Sequence, residues 1–334
     1  MSNYRKDQIS GRWVIVAENR ALRPNDFVDN QGRRDISRTC PFCEGNERFT
    51  PDEISAIRKS GSSENSPGWQ IRVVPNGYPA LLREQPFELV HEGFYEQRGG
   101  FGVHEVIVES PQHVISTTQL TDQQVQSVFD AYRIRLNDLK SDSRLSYALI
   151  FKNTRPEAGA SIEHVHSQLI ATPETPLAIQ EEIRGSSDFF DRHKTCVWCK
   201  MIVDELESQG RLVHQSTSFI AFCPFAARVP FETWVLPKRH GSHYEQVESD
   251  LLPELADFMK QTLLRMEIVL DSPAYNYWIH TAPFDTPLLD YYHWHIEIIP
   301  RLTKIAGYEW GAYGYLNPVL PEEAAKSLRN NERI

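Results

Sequence analysis

Residues 153 to 168 combine histidine, glutamine and small side chains in a spacing that could bring two imidazoles and an amide to one surface. His164, His166 and Gln168 alternate after a turn that is rich in glycine, alanine and serine. Alternation places side chains i, i+2 and i+4 on one face of a strand, so we expect these three side chains on one surface. The small residues of the turn let a ligand approach the backbone. The stretch therefore predicts a ligand site on a strand-loop-strand unit.

Two Cys-x-x-Cys pairs indicate metal sites. Cys40 pairs with Cys43 and Cys196 pairs with Cys199, whereas Cys223 lies in an apolar run and is expected to be a core thiol. Such pairs in a cytosolic chain indicate metal or redox use rather than disulfides. The irregular polar segment before Cys40 argues against a redox pair. One zinc ribbon joining both pairs is disfavoured, because 156 positions separate Cys40 from Cys196, against a usual spacing of roughly 15–20.

Histidines at matching distances complete two tetrahedral sets of sulfur and nitrogen ligands, which is the set that zinc prefers. The first predicted set is Cys40, Cys43, His113 and His164. The second is Cys196, Cys199, His240 and His293. A competing second set mixes a carboxylate with imidazoles, suits iron or zinc, and consists of Glu182, His280, His293 and His295. Because both alternatives use His293, the identity and ligands of the second metal stay open.

The two halves of the chain repeat the same order of motifs. His113 and His164 are 51 positions apart, and His240 and His293 are 53 apart. In each half an amphipathic helix lies between these histidines, and the first helix opens with a capping-box pattern at Thr121. An internal duplication follows. We predict an α+β fold of two tandem domains, residues 1–178 and 179–334, each an antiparallel sheet with packed helices.

Composition and charge limit the class of protein. The chain has 334 residues, of which 40% are hydrophobic and 24% charged, and a formal net charge of −10. This acidic balance argues against a nucleic-acid partner. No apolar run has the length of a membrane span, and the N-terminus lacks a signal-peptide core, so we expect a cytoplasmic protein that does not bind membranes.

Taken as a set, the motifs resemble the galactose-1-phosphate uridylyltransferase family of the histidine-triad superfamily, with the ADP-glucose phosphorylases as close sisters. The set comprises His-x-His-x-Gln, Cys-Pro-Phe-Cys, Ser-Pro-Gln-His, Pro-Lys-Arg-His and a closing Gly-Tyr-Glu at 307–309. The resemblance implies two histidine-triad-like domains, a structural zinc, and a homodimer in which the partner subunit completes the hexose site.

The resemblance also implies roles for individual residues. His166 is the expected nucleophile on the α-phosphorus of a nucleotide sugar, and Gln168 is expected to hydrogen-bond the transferred phosphate. Arg20, Arg23, Asn153 and Ser161 match positions near the phosphates. Asn76 matches the segment beside the base, and Tyr308 and Glu309 match residues that hold the hexose. A neutral imidazole is a good nucleophile and leaving group near pH 7, so two displacements and ping-pong kinetics are expected.

Three departures from the family pattern bear on function. Val165 replaces the usual proline between the histidines, and Tyr315 stands where many uridylyltransferases have a hexose-binding glutamine. Glu297 replaces glutamine in the second copy, so we predict that His295 is not a nucleophile. The first hypothesis is uridylyl transfer from UDP-glucose to a hexose 1-phosphate. The alternative is adenylyl transfer from ADP-glucose to phosphate; hydrolysis and a non-catalytic zinc module rank lower.

Overall fold

The computed structural model describes residues 2–8, 13–17 and 40–330. The strands in these ranges are β1 Asn3–Lys6, β2 Trp13–Val16, β3 Ser55–Arg58, β4 Trp69–Pro75, β5 Leu89–Glu92, β6 Tyr95–Gly99, β7 Val103–Val108, β8 Tyr147–Thr154, β9 His166–Thr172, β10 Leu212–Gln215, β11 Phe219–Phe222, β12 Thr233–Pro237, β13 Tyr275–His280 and β14 His295–Pro300. The α-helices are α1 Asp122–Lys140, α2 Leu177–His193, α3 Val197–Ser208, α4 Leu252–Val269, α5 Gly307–Ala312 and α6 Pro321–Arg329.

One ten-stranded antiparallel sheet runs through both halves of the chain. Its order is β10-β11-β12-β14-β13-β8-β9-β7-β4-β3. Counted outward from the central β8–β13 pair, the two halves contribute their strands in the same relative order. The α+β fold is thereby confirmed, but the two sheets are joined edge to edge, because pairing β8 with β13 satisfies backbone groups that two separate edges would leave exposed. A domain division at 178/179 stays a prediction.

The two long helices cover one face of this sheet. α1 and α4 pack on each other and on the main apolar core, which includes Ile107, Leu169 and Ile279. The predicted capping box at the start of α1 is present, since Thr121 Oγ1 accepts from the Gln124 backbone N–H. None of the helices in the described ranges is both long and apolar enough to cross a bilayer. Because α1 and α4 cover one face of the sheet, a ligand site on the sheet has to lie on the opposite face, wherever no other helix covers it.

The opposite face differs between the two halves. In the second half α3 covers it, with Trp198 and Ile202 packed on Phe222 and Leu236. In the first half the same face carries His166 and Gln168 and borders a cavity. The polar stretch 44–68 contains the edge strand β3, whose extended backbone is supported by pairing with β4. A second, four-stranded sheet has the order β2-β1-β6-β5.

The start of β9 corrects one expectation about the histidine motif. The strand begins at His166, so His164 lies in the preceding loop rather than on the same strand face. The Val165 N–H donates to the Val114 carbonyl oxygen over 2.8 Å, which ties the loop to the segment after β7. His293 likewise precedes β14, which begins at His295. In each motif, the first histidine points into a cysteine cluster and the second opens the strand.

Candidate functional site

The first Cys/His cluster has the geometry of a tetrahedral metal site. Cys43 Sγ lies 3.5 Å from His113 Nδ1 and 3.6 Å from His164 Nδ1, and Cys40 Sγ is also 3.6 Å from His164 Nδ1. Zn–S and Zn–N bonds of about 2.3 and 2.1 Å at tetrahedral angles separate S from N by about 3.6 Å. The four residues therefore fit an ion of this size.

Backbone contacts orient this cluster. His164 Nε2 lies 2.8 Å from the Ser110 carbonyl oxygen, which can only accept, so Nε2 carries the proton and the Nδ1 lone pair faces the thiols. Burial lowers the pKa of His164 to about 3, so the ring is neutral near pH 7. Burial also raises the pKa of Cys40 to about 12, because desolvation disfavours the thiolate, and the neighbouring Cys43 acts in the same direction.

The second Cys/His cluster repeats this arrangement. Cys199 Sγ lies 3.4 Å from His240 Nδ1 and 3.8 Å from His293 Nδ1. His240 Nε2–H donates to the Leu289 carbonyl oxygen over 3.0 Å, and His293 Nε2–H donates to that of Pro237 over 2.9 Å. Ligand atoms of these residues and Cys196 all lie within 4.8 Å of one another. Cys196 caps α3, whereas Cys40 precedes a turn, so similar clusters form on different local structures.

The competing ligand set differs from its expected composition. The structure has a separate group of Glu182, His280, His295 and Glu297, whose ligand atoms also lie within 4.8 Å of one another. His293, which we expected in this group, belongs instead to the second cysteine cluster. Glu297 is the fourth member of the group in its place. The two sets are thus not alternatives for one ion. Arg228 forms an ion pair with Glu297, so a cation is already present at this group.

His166 opens onto a cavity of about 360 Å³. Its Nδ1 lies 2.6 Å from the His164 carbonyl oxygen, which makes Nδ1 the donor and leaves the lone pair on Nε2. Polar groups lining the cavity with it are Asn76, Ser161 and Gln168. Its apolar lining includes Phe42, Phe49, Val74, Tyr78 and Val106. The cavity can hold a ring against its apolar lining and can present an imidazole to a polar group of the same ligand.

Other predicted site residues lie elsewhere. Asn153 is absent from the lining of this cavity; its Oδ1 accepts from Asn276 Nδ2 over 2.7 Å, at the start of the loop that carries Ser161. Tyr308 lies on α5 and is exposed, and Glu309 accepts from the Ala306 N–H over 3.1 Å. Arg20 and Arg23 lie outside the described residues. The roles of all these residues stay predictions.

The second copy of the motif has no comparable opening at its second histidine. His295 is fully buried, and Trp198 of α3 stacks on its ring at a centroid distance of 4.3 Å. Its Nε2 lies 3.4 Å from Glu182 Oε1 and 3.6 Å from Glu297 Oε1. Burial opposes a charged ring, but the Glu182 carboxylate, with Glu297, raises the pKa of His295 to about 10. A protonated, covered imidazole offers no lone pair to a substrate.

Sequence reasoning missed His104. It lies on β7 two positions from Val106, which pairs with Gln168, so it points to the same face as Gln168. His104 Nε2 lies 3.0 Å from Gln168 Oε1. The sequence contained a signal, because His104 alternates with the apolar Val106 and Val108 along one face of this strand. The strand register needed to pair it with Gln168 came only from the structure.

Comparison with known proteins agrees with this geometry. A family model described as galactose-1-phosphate uridyl transferase, N-terminal domain, matches residues 1–176, and one described as a domain of unknown function (DUF4921) matches residues 102–331. An ADP-glucose phosphorylase from Arabidopsis thaliana is 35% identical over 331 residues, covering 97% of this chain and 92% of the relative. A galactose-1-phosphate uridylyltransferase from Thermotoga maritima is 27% identical over 341 residues, covering 99% of both.

Solved structures give the same result. The crystal structure of an ADP-glucose phosphorylase from Arabidopsis thaliana with bound ADP-glucose matches with a TM-score of 0.79 and 33% identity, covering 99% of this chain and 100% of that one. A uridylyltransferase structure matches with a TM-score of 0.81 and 29% identity, covering 98% and 97%. The chain therefore belongs to the galactose-1-phosphate uridylyltransferase family, with ADP-glucose phosphorylase as a sister, and is a nucleotidyltransferase.

Proposed function

We propose that this enzyme transfers a nucleotidyl group from a nucleotide sugar through a covalent intermediate on His166. The observation that carries this proposal is the hydrogen bond from His166 Nδ1 to the His164 carbonyl oxygen, because it puts the lone pair on Nε2 of a ring that lines a cavity. His164 in turn belongs to the first cysteine cluster. An ion bound there would fix the main-chain carbonyl group that orients the nucleophile.

The proposed reaction has two displacements. In the first, His166 Nε2 attacks the α-phosphorus, a P–N bond forms, and the bond to the sugar 1-phosphate oxygen breaks. In the second, an oxygen of the acceptor phosphate attacks the same phosphorus, and the P–N bond breaks to return the free imidazole. Gln168 and Ser161 line the same cavity and are proposed to hold the non-bridging phosphate oxygens.

Both cysteine clusters are proposed to hold zinc. Their thiol and imidazole ligands are of the type that zinc prefers, and their sulfur–nitrogen distances agree with tetrahedral bonding. A bound zinc would have a structural role, because the four residues of each cluster supply all four ligands of a tetrahedral ion and leave no position for substrate. The group around Glu182 and Glu297 is a weaker candidate, since the Arg228 guanidinium repels a further cation.

ADP-glucose with phosphate as acceptor is the donor–acceptor pair that similarity favours. The identity to the Arabidopsis thaliana ADP-glucose phosphorylase exceeds that to the Thermotoga maritima uridylyltransferase. Tyr315 stands in the position of the hexose-binding glutamine of many uridylyltransferases, and this difference also favours ADP-glucose over UDP-glucose as the donor. UDP-glucose with a hexose 1-phosphate is retained as the second candidate, because uridylyltransferases also match over nearly the whole chain.

Mass spectrometry of the intact chain tests the covalent step. Incubation with ADP-glucose or UDP-glucose and a quench in base should add one nucleotidyl group to the wild type and none to His166→Ala. An unmodified wild type with both donors, or an adduct that persists in His166→Ala, would refute the proposal.

A substrate panel tests the choice of donor and acceptor. Each donor is offered with phosphate, galactose 1-phosphate or water, and sugar 1-phosphate release is followed. We expect turnover with ADP-glucose and phosphate. Turnover confined to UDP-glucose and galactose 1-phosphate would select the second candidate, and equal rates in water alone would select hydrolysis.

The enzyme is further proposed to be a cytoplasmic homodimer. The five cysteines are all free thiols, which suits a reducing compartment. Large apolar side chains are exposed in the segment 308–320, where Trp310 and Leu316 are each 69% exposed. Contiguous exposed apolar surface is typical of an interaction site. The same segment contains Tyr308 and Glu309, which the family resemblance links to a hexose site shared between subunits.

A further inference from the structure

A chain of hydrogen bonds behind Gln168 fixes the direction of its side-chain amide. The Ala80 backbone N–H donates to His104 Nδ1 over 3.0 Å. Because that nitrogen accepts, the proton of the neutral ring lies on Nε2. His104 Nε2 is 3.0 Å from Gln168 Oε1, so this N–H donates to the Gln168 oxygen. The direction of this hydrogen bond follows from the Ala80 backbone N–H, because that donor fixes the His104 tautomer whatever the orientation of the glutamine amide.

Asn76 supplies a second donor to the same oxygen. The Tyr78 backbone N–H donates to Asn76 Oδ1 over 2.9 Å, so the Asn76 amide nitrogen faces the other way. That nitrogen lies 3.1 Å from His104 Nε2 and 3.4 Å from Gln168 Oε1. Because His104 Nε2 carries a proton and cannot accept, the Gln168 oxygen is the acceptor for the Asn76 amide. The Gln168 oxygen thus receives two donors from the protein. The NH₂ group is the part of the Gln168 amide that remains to donate to a ligand in the cavity shared with His166.

We propose that His104 is a positioning residue that holds Gln168 with its NH₂ group directed at the transferring phosphoryl group. This inference rests on the proposed function. If the amide were turned over, its oxygen would face the phosphate oxygens and repel the charge that develops on them. His104 and Gln168 are 4% and 3% exposed, so bulk water has little access to replace the missing donor. Asn76, which is expected beside the base of the nucleotide, also contacts the Gln168 oxygen, so a residue near the base would help to orient the Gln168 amide.

Substitutions that keep one ring nitrogen at a time separate this role from packing. His104→Gln keeps an amide N–H near the position of Nε2, whereas His104→Asn keeps only an acceptor near Nδ1, and His104→Leu keeps neither. The single-turnover rate of nucleotidyl-adduct formation is measured with saturating ADP-glucose or UDP-glucose. We expect His104→Asn and His104→Leu to be slower on the order of 10- to 100-fold, and His104→Gln to recover most of the wild-type rate. The exposed His91→Asn serves as the matched control with an unchanged rate.

A double-mutant cycle adds a measurement that a merely structural role would not move. His104→Asn should slow adduct formation no further when Gln168 is already alanine, because it acts through Gln168. Multiplying losses in the double variant would overturn the proposal, as would His104→Asn and His104→Leu reacting at the wild-type rate. A wild type that forms no adduct would refute the proposed function itself. Failure of the His104 proposal alone would instead leave adduct formation by the wild type intact.

The wild-type protein gives a test that needs no variant to fold. The ¹⁵N chemical shifts of the His104 ring report which nitrogen carries the proton. We expect the Nε2–H tautomer. An Nδ1–H tautomer would overturn the proposal, since His104 would then have no proton to give Gln168.

Discussion

The two sister histidines have the same backbone contact and different surroundings. His166 Nδ1 and His295 Nδ1 each donate to the carbonyl oxygen of the histidine two positions earlier, at 2.6 and 3.0 Å. The difference lies at Nε2, where His166 borders a cavity and His295 meets the carboxylates of Glu182 and Glu297. A fixed tautomer is therefore insufficient for a nucleophile; an open approach to the lone pair is also required.

Replacing each histidine by asparagine tests this difference. His166→Asn should abolish the nucleotidyl adduct, because the amide is not a nucleophile. His295→Asn should still form the adduct at a temperature below its unfolding midpoint, although loss of a buried ring lowers stability. Intact-mass measurements on both variants, after circular dichroism shows them folded, make the comparison. An adduct lost in folded His295→Asn would show that the second copy takes part in the chemistry.

At the scale of elements, a buried ion pair ties β9, which begins with His166, to its neighbours. Glu109, just after β7, forms an ion pair with Lys152 of β8 and accepts a hydrogen bond from Ser167 of β9. Tyr132 of α1 donates to Glu109 over 3.0 Å and lies 2.9 Å from the hydroxyl of Tyr277 on β13. Ser167 is adjacent to His166, so this network holds the strand that begins with the proposed nucleophile and joins it to the second half.

Removing only one partner of this ion pair should lower the free energy of unfolding. Lys152→Met leaves the Glu109 carboxylate buried without its cation and is expected to destabilise the protein by about 3–5 kcal/mol. The double variant Glu109→Gln, Lys152→Met removes the charge and should recover a large part of that loss. Urea unfolding followed by fluorescence measures both. The expectation fails if Lys152→Met unfolds at the wild-type midpoint, or if the double variant is less stable than the single one.

At the scale of the whole molecule, each half has its own cysteine cluster, but only the first lies beside the proposed nucleophile. We expect two zinc ions per chain by elemental analysis, and one each in Cys40→Ser and Cys196→Ser. Adduct formation should fall more in Cys40→Ser, because His164 contributes both a ligand and the carbonyl group that orients His166.

Two controls accompany the metal analysis. Cys223→Ser should keep both ions, because Cys223 lies in the apolar core apart from either cluster. Glu182→Ala should also keep both ions. An equivalent of metal lost in Glu182→Ala would contradict the assignment of both zincs to cysteine clusters.

The exposed segment 308–320 leads to a prediction about assembly. Replacing Trp310 and Leu316 by aspartate should shift the protein from dimer toward monomer, because charges at an apolar interface lose their hydration. Light scattering coupled to size exclusion gives the mass. The control is Phe94→Asp, an exposed aromatic residue at the turn between β5 and β6. A wild type that is already monomeric, or a variant that stays dimeric, would argue against this interface.

Much of the fold followed from local sequence patterns. The apolar spacing of α1, its cap at Thr121 and the repeated order of motifs were all predicted, because each can be read from local sequence. The family also followed, since its motifs are short and contiguous. The polar strand β3 did not, because a short edge strand takes its conformation from its partner.

The tertiary structure decided how residues distant in sequence combine. Residue types and spacing were enough to propose His166, Gln168 and the two sets of cysteines and histidines. Only the strand register brought His104 against Gln168, and only packing put Trp198 over His295 and Glu297 in place of His293 in the third group. The physical reason is that a sequence encodes periodicity and residue chemistry locally, whereas hydrogen-bond direction, burial and access to a lone pair depend on which elements pack together.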